Sequence, residues 1–199
     1  MKPLFAILLC APLLAWSQAA LSPLEIKEIR IGESTLADVT AKFPGGHLVD
    51  KSVLVSPQGH VDKLCGYIHI NSNPECRRNA FDDVNVAGAS PGTYWFHDLD
   101  GKIESINVTF SKNGFLTVRD ALIIKYGEPT ERKIEEWKNR AGATFQSQAL
   151  TWTRPDGEIR ISQLGGRIDE SRLTMYSPKY KANLLEQAKK KAAEGAKNL

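Results

Sequence analysis

Residues 94–110, YWFHDLDGKIESINVTF, lie over residues 150–166, LTWTRPDGEIRISQLGG, at an offset of 56. The overlay sets Phe96 on Trp152, Asp100-Gly101 on Asp156-Gly157 and Ile103 on Ile159. An Asp-Gly pair between two β-rich runs is a strong hairpin signal, because both turn positions accept positive φ. In the first stretch Ile106, Val108 and Phe110 alternate with Asn107 and Thr109, which gives that strand one apolar and one polar face. The segment ESRLTMYS predicts another strand, with Leu173 and Met175 on one face and Arg172, Thr174 and Tyr176 on the other.

Helical spacing precedes each hairpin. In ESTLADVTAKFPGG, residues 33–46, Leu36, Val39 and Phe43 fall on one helix face, Ser34-Thr35 supply caps, and Pro44-Gly45 stop the helix. GFLTVRDALIIKYGEPT, residues 114–130, repeats the design with Val118, Ala121, Leu122, Lys125 and Tyr126, then Gly127 at the C-cap and Pro129 behind it. Laying AKFPGG over IKYGEP puts Phe43 on Tyr126 at an offset of 83. The two offsets differ by 27, which places an insertion in residues 46–92 of the first copy, mostly loop with short strands expected at 52–55 and 66–70. The chain therefore reads as an α+β protein of two tandem units, each of short helices on antiparallel hairpins: residues 20–112 with the insertion, then residues 113–178.

Residues 1–19 have the layout of a secretory signal: Lys2, an apolar run of thirteen residues from Leu4 to Trp16, and small residues at Ser17 and Ala19. The run is shorter than the ~18 residues of a membrane span, so a soluble periplasmic or secreted protein without a transmembrane segment is expected. In an oxidising compartment Cys65 and Cys76 are expected to form a disulfide, closing the insertion and removing about 3 kcal/mol from the unfolded state in the chain-entropy treatment. Residues 20–178 hold nineteen basic and twenty-one acidic side chains, net −2, so a nucleic-acid partner has no electrostatic basis. The lysines concentrate in the tail, residues 179–199, which is expected to be partly helical, with Leu184, Leu185 and Ala188 docking one turn on the body. Weak membrane-surface contact through this tail is also open.

The helix from Thr35 to Phe43, the second helix closing in KYGEP, and the hairpins DLDGKIESI and PDGEIRIS together resemble the β-lactamase-inhibitor-protein-like fold group. That group includes single units in the SmpA/OmlA (BamE) outer-membrane lipoproteins and a tandem pair in the inhibitor protein. The resemblance implies an exported binding scaffold with no catalytic centre. It does not carry membrane anchoring, since no acylatable cysteine follows the signal, nor β-lactamase inhibition, since contact residues do not match one by one.

The most reactive-looking cluster is His97-Asp98-Leu99-Asp100. Neighbouring strand residues point to opposite faces, so His97 and Asp98 diverge, and Asp100 is used by the turn; no metal or other cofactor is expected there. No nucleophile motif or phosphate loop is present in the sequence, and no catalytic residue is assigned. The aromatics carry more. With Phe96 inside, Trp95 points outward beside His97, and Trp95, His97, Trp152, Arg154 and Tyr176 form a candidate binding set of the residue types that dominate interfaces.

The leading reading is a non-catalytic module that binds another exported or envelope protein through a sheet face. The alternative is a small-ligand or lipid carrier with a pocket lined by Phe43, Tyr126 and Trp152; a hydrolase using His97 and Asp100 ranks behind both. The exported chain is expected to begin at Ala20 and to react with no thiol reagent until reduced; intact mass before and after reduction and alkylation checks both.

Overall fold

The computed structural model describes residues 21–56, 85–89, 92–138 and 142–196. The signal segment, Cys65, Cys76 and the strand expected at 66–70 lie outside the described residues. A two-residue hairpin, β1 (Glu25–Ile26) and β2 (Ile29–Arg30), opens the chain. Then come α1 (Leu36–Lys42), β3 (His47–Val49), β4 (Ser52–Val55), β5 (Thr93–Leu99) and β6 (Lys102–Ser111). After a single 3₁₀ turn follow α2 (Phe115–Tyr126), β7 (Glu131–Lys138), β8 (Thr144–Arg154), β9 (Gly157–Ser162), β10 (Glu170–Tyr176) and α3 (Pro178–Ala196).

All strands from β3 onward join one antiparallel sheet of eight, in the order β3-β4-β5-β6-β10-β9-β8-β7. Strands β3 to β6 form one run of sequential neighbours and β7 to β10 another, and the runs meet where β6 pairs with β10. The alternation read in the sequence fixes the faces. Tyr94 and Phe96 register with Val108 and Ile106, which register with Leu173 and Met175, which in turn face Ile161 and Ile159. Leu150 and Trp152 complete the row. These side chains are buried and belong to one apolar cluster that spans both runs.

Both shorter helices and the β1–β2 hairpin cover this inner face. Thr35 caps α1 in a capping box, its hydroxyl accepting from the Asp38 amide while the Asp38 carboxylate accepts from the Thr35 amide at 2.8 Å. The helix delivers Val39 and Phe43, and the Phe43 ring packs 5.8 Å from Tyr94 and 5.5 Å from Phe96. Helix α2 ends at Gly127, whose φ of 80° is the left-handed stop expected of a glycine there. The carbonyl of Gly127 accepts the buried Trp152 indole N–H at 2.8 Å, tying the end of α2 to β8.

Three expectations change. The first hairpin turns on Asp100 and Gly101, with φ of 56° and 82°, as read. The second turns one residue earlier, on Pro155-Asp156, because Arg154 registers with Gly157. Gly157 is needed for another reason: a Cβ there would run into the backbone carbonyl of Tyr176 and lie 2.7 Å from Leu24 Cδ1. The offset-56 overlay also sets the third and fourth strands of the first run on the second and third of the second run.

Second, β3 and β7 are both edge strands and neither is signalled by periodicity. Strand β7 is half-buried only at Glu135, so its charges blunt an edge rather than fill a core. Third, Leu184 and Leu185 do not dock, being 45% and 56% exposed; α3 is held by its first turn. Ser177 caps that turn, accepting from the Tyr180 amide at 3.0 Å, and Pro178 occupies the first helical position.

The two turn-region glycines separate on substitution. Gly101→Ala, in open space at positive φ, is expected to cost about 1 kcal/mol. Gly157→Ala, which must move the end of β10, is expected to cost at least about 2 kcal/mol. Chemical denaturation of both variants checks the order.

Candidate functional site

The sheet's outer face carries the alternate residues, and its register gives it rows. One runs Leu54, Trp95, Asn107, Thr174, Arg160, Thr151; the next runs Ser52, His97, Ser105, Tyr176, Glu158. Among the described elements, only the first turn of α3 is bonded to this face.

Trp95 and His97 are both half-buried and stack with ring centroids 6.1 Å apart and planes 7° apart. Tyr180, from α3, stacks on the other side of His97 at 6.0 Å. Trp95, two residues from His97 on the same strand face, is flanked by the His97 ring. Ser52 Oγ lies 2.8 Å from His97 Nδ1. Burial pushes the His97 imidazole below its usual range, and burial pushes the Tyr180 phenol up, partly offset by its bond with the Ser105 hydroxyl.

Beside this stack lies a polar network. Thr174 Oγ1 donates to Asn107 Oδ1 at 3.0 Å. The Tyr176 hydroxyl donates to Glu158 Oε1, whose other oxygen accepts from Lys181 of α3 at 2.8 Å. Burial works against the Glu158 carboxylate, but the Lys181 and Tyr176 bonds hold its pKa below the usual range; burial and the same carboxylate push Tyr176 up. Arg160 pairs with Glu135 across two strands. At the sheet's far corner Trp137 registers with Phe145, and Trp137 is 36% exposed.

Of the five residues singled out by sequence, the structure brings Trp95, His97 and Tyr176 to one face. Trp152 is 2% exposed in the core. Arg154 lies on the inner side, where its guanidinium pairs with Asp156 at 2.8 Å, donates to the Ser22 carbonyl at 2.5 Å, and sits 5.2 Å over the Tyr126 ring. The bond to Asp156 keeps the Arg154 guanidinium more basic than usual. Sequence reasoning, which sets Arg154, Arg160 and Tyr176 at the rim of an outward Trp95, places Arg160 on the correct face; it missed Tyr180, whose signal is the Ser177-Pro178 helix start just before it.

The acidic tip behaves as a turn. A bulge between His97 and Asp98 shifts the register, Asp98 Oδ1 accepts from the Gly101 amide at 3.2 Å, and Asp100 pairs with Lys179 at 3.0 Å. The structure thus separates His97 from Asp100, each committed to different partners.

On the inner side a cleft of about 300 Å³ opens between α2, the β1–β2 hairpin and residues 85–87. Tyr126 lines it; Phe43 and Trp152 do not. No protein-family model, curated protein or solved structure matches the chain.

His97 generates a pH prediction with a definite sign. Its folded pKa lies below the unfolded value, so as pH falls through about 6.5 the unfolded chain takes up a proton that the folded chain does not, and stability falls. The denaturation midpoint is expected to drop between pH 7.5 and 5.5, and His97→Gln is expected to flatten that slope.

Proposed function

We propose that this chain is an exported, non-catalytic protein-binding module whose contact surface is the outer face of the eight-stranded sheet. One observation carries the reading: Trp95 on β5, Tyr176 on β10 and Arg160 on β9 share the outer face of the sheet, to which α3 is bonded through its first turn. Trp, Tyr and Arg at the centre of a face rich in Ser, Thr and Asn match the composition of interface centres, where rigid rings supply area at little entropic cost. The polar bonds among Asn107, Thr174, Tyr176 and Glu158 hold the face in shape before a partner arrives, lowering the cost of binding.

The partner is another exported or envelope protein, and the Cys65–Cys76 loop is a second contact surface. The tandem-unit reading supports this assignment. Each four-strand run is entered by one helix, α1 or α2, which matches β5–β6 to β9–β10 by topology, one strand away from the β8–β9 hairpin that the sequence overlay sets on β5–β6. Two such runs in one sheet are what an exported scaffold of the β-lactamase-inhibitor-protein-like kind would have, its signal cleaved and its residence periplasmic or secreted.

The test uses the mature chain immobilised against an extract of its own compartment, with a photo-cross-linking residue at Asn107. Wild type is expected to capture a specific protein. Trp95→Ala and Arg160→Glu are each expected to lose at least about tenfold in affinity while keeping native circular dichroism, as truncation of an interface anchor does. Capture unchanged by both substitutions, or no cross-link from position 107, sinks the proposal.

A further inference from the structure

Of the two edges of the described sheet, β7 is the longer. It pairs with β8 over eight consecutive residues, Glu131 to Lys138, without a register shift, and β8 is its one sheet neighbour among the described residues. The opposite edge, β3, has three residues. An edge strand turns half of its backbone N–H and C=O groups away from the sheet, and they form a template on which another strand can pair. A proline or a bulge would spoil that template, and residues 131–138, ERKIEEWK, contain neither.

Ile134, at the centre of this strand, is 64% exposed. Two cations, Arg132 and Lys133, precede it, and two carboxylates, Glu135 and Glu136, follow it. When two copies of one strand pair antiparallel about a two-fold axis normal to the sheet, residues that face each other point to the same side, so one residue faces its own copy. With Ile134 in that position, Arg132 faces Glu136 of the second copy and Lys133 faces Glu135 of the second copy, and symmetry supplies each pair twice. Arg132, Ile134 and Glu136 lie on the side of the strand that carries Leu150, while Lys133 and Glu135 lie on the other, so ion pairs close the seam on both faces.

Other registers are blocked by the same residues. Any other centre from Arg132 to Glu136 sets a charged residue opposite its own copy; centred on Glu135, the pairing also brings Arg132 against Lys138, and centred on Lys133, Glu131 against Glu135. Like charges directly opposite destabilise a strand pair. The charges that blunt this edge toward foreign strands are thus complementary to a second copy in one register. Bonds within the chain leave room for it. Arg132 pairs with Glu128 at 2.5 Å and Lys133 with Glu131 at 2.8 Å, both at the surface, and Glu135 pairs with Arg160. A guanidinium carries five N–H donors, an ammonium three and a carboxylate about four acceptor sites, so each group can take a second partner.

We infer that β7 pairs antiparallel with β7 of a second copy of this chain, Ile134 opposite Ile134, joining two eight-stranded sheets into one. Because the axis is normal to the sheet, both outer faces point the same way. Trp95 lies five strands from this edge, about 24 Å at the usual strand spacing, so the dimer stands or falls separately from the protein-binding reading.

Sedimentation velocity on the mature full chain is expected to show a monomer–dimer equilibrium with a Kd between about 1 and 100 μM, as suits a small, polar interface. Glu136→Arg is expected to weaken it at least about tenfold, and adding Arg132→Glu to recover it to within about threefold of wild type. Trp95→Ala is expected to leave it unchanged. Ile134→Cys is expected to cross-link two copies under mild oxidation. Lys138→Cys, which this register holds about 27 Å from its own copy, is expected not to. A wild-type chain that stays monomeric at about 200 μM, twice the weakest Kd expected, overturns the inference. So does a dimer that Glu136→Arg leaves intact, a double reversal that keeps native circular dichroism yet fails to restore it, or Ile134→Cys cross-linking no faster than Lys138→Cys.

Discussion

Seven residue pairs between β6 and β10, from Ser105 opposite Tyr176 to Ser111 opposite Glu170, join two four-stranded runs into one sheet. The shared inner face exists only because this register holds. It sets Val108 beside Leu173 and Ile106 beside Met175, so the apolar rows of the two runs become continuous and both helices cover a single core. A one-residue slip would turn Leu173 and Met175 outward and Thr174 and Tyr176 inward, which is why the pattern of β10 admits no other pairing. The pairing is also the least local in the sheet. Its paired residues are 59 to 71 positions apart in the chain, from Ser111–Glu170 to Ser105–Tyr176, and the chain must close that loop before the contact returns any stabilisation.

What was legible in the sequence was whatever local chemistry fixes. The capping box of α1, the glycine stop of α2, the alternation in β6 and β10 and the Asp100-Gly101 turn each depend on neighbours a few residues away. Strands β3 and β7 were not legible, because an edge strand exposed on both faces has no apolar period to read. The second turn misled for a different reason. Gly157 looks like a turn glycine in sequence, but its missing side chain makes room for the carbonyl of Tyr176, nineteen residues further on.

The candidate face shows the same division. That Trp95 opposes Phe96 follows from strand parity, and parity placed Trp95 outward and Tyr176 on the polar side of β10. Parity also sends Trp152 and Arg154 inward, because β8 carries Leu150 on the core row. No local signal tells that Arg160 and Thr174 are row-mates of Trp95, or that Tyr180 stacks on His97; these are consequences of register between strands far apart in the chain. The inner cleft is less legible still, being defined by how far α2 stands off the sheet.

The first turn of α3 stands on three footings: Lys179 on Asp100, Tyr180 on His97 and Lys181 on Glu158. These lie on the β5–β6 turn, on β5 and on β9, so they form a triangle and not a line. Beyond Asn183 every described residue of the helix is exposed. At 1.5 Å per residue this makes an exposed rod of about 20 Å. A rod pinned at one point swivels; one footed on a triangle keeps its bearing. Two of the three feet are surface ion pairs, each worth at most about 1 kcal/mol and screened by salt. Ionic strength therefore works on the helix as a loosening screw, and at high salt the Tyr180 foot, its ring on His97 and its hydroxyl bonded to Ser105, is left as the hinge.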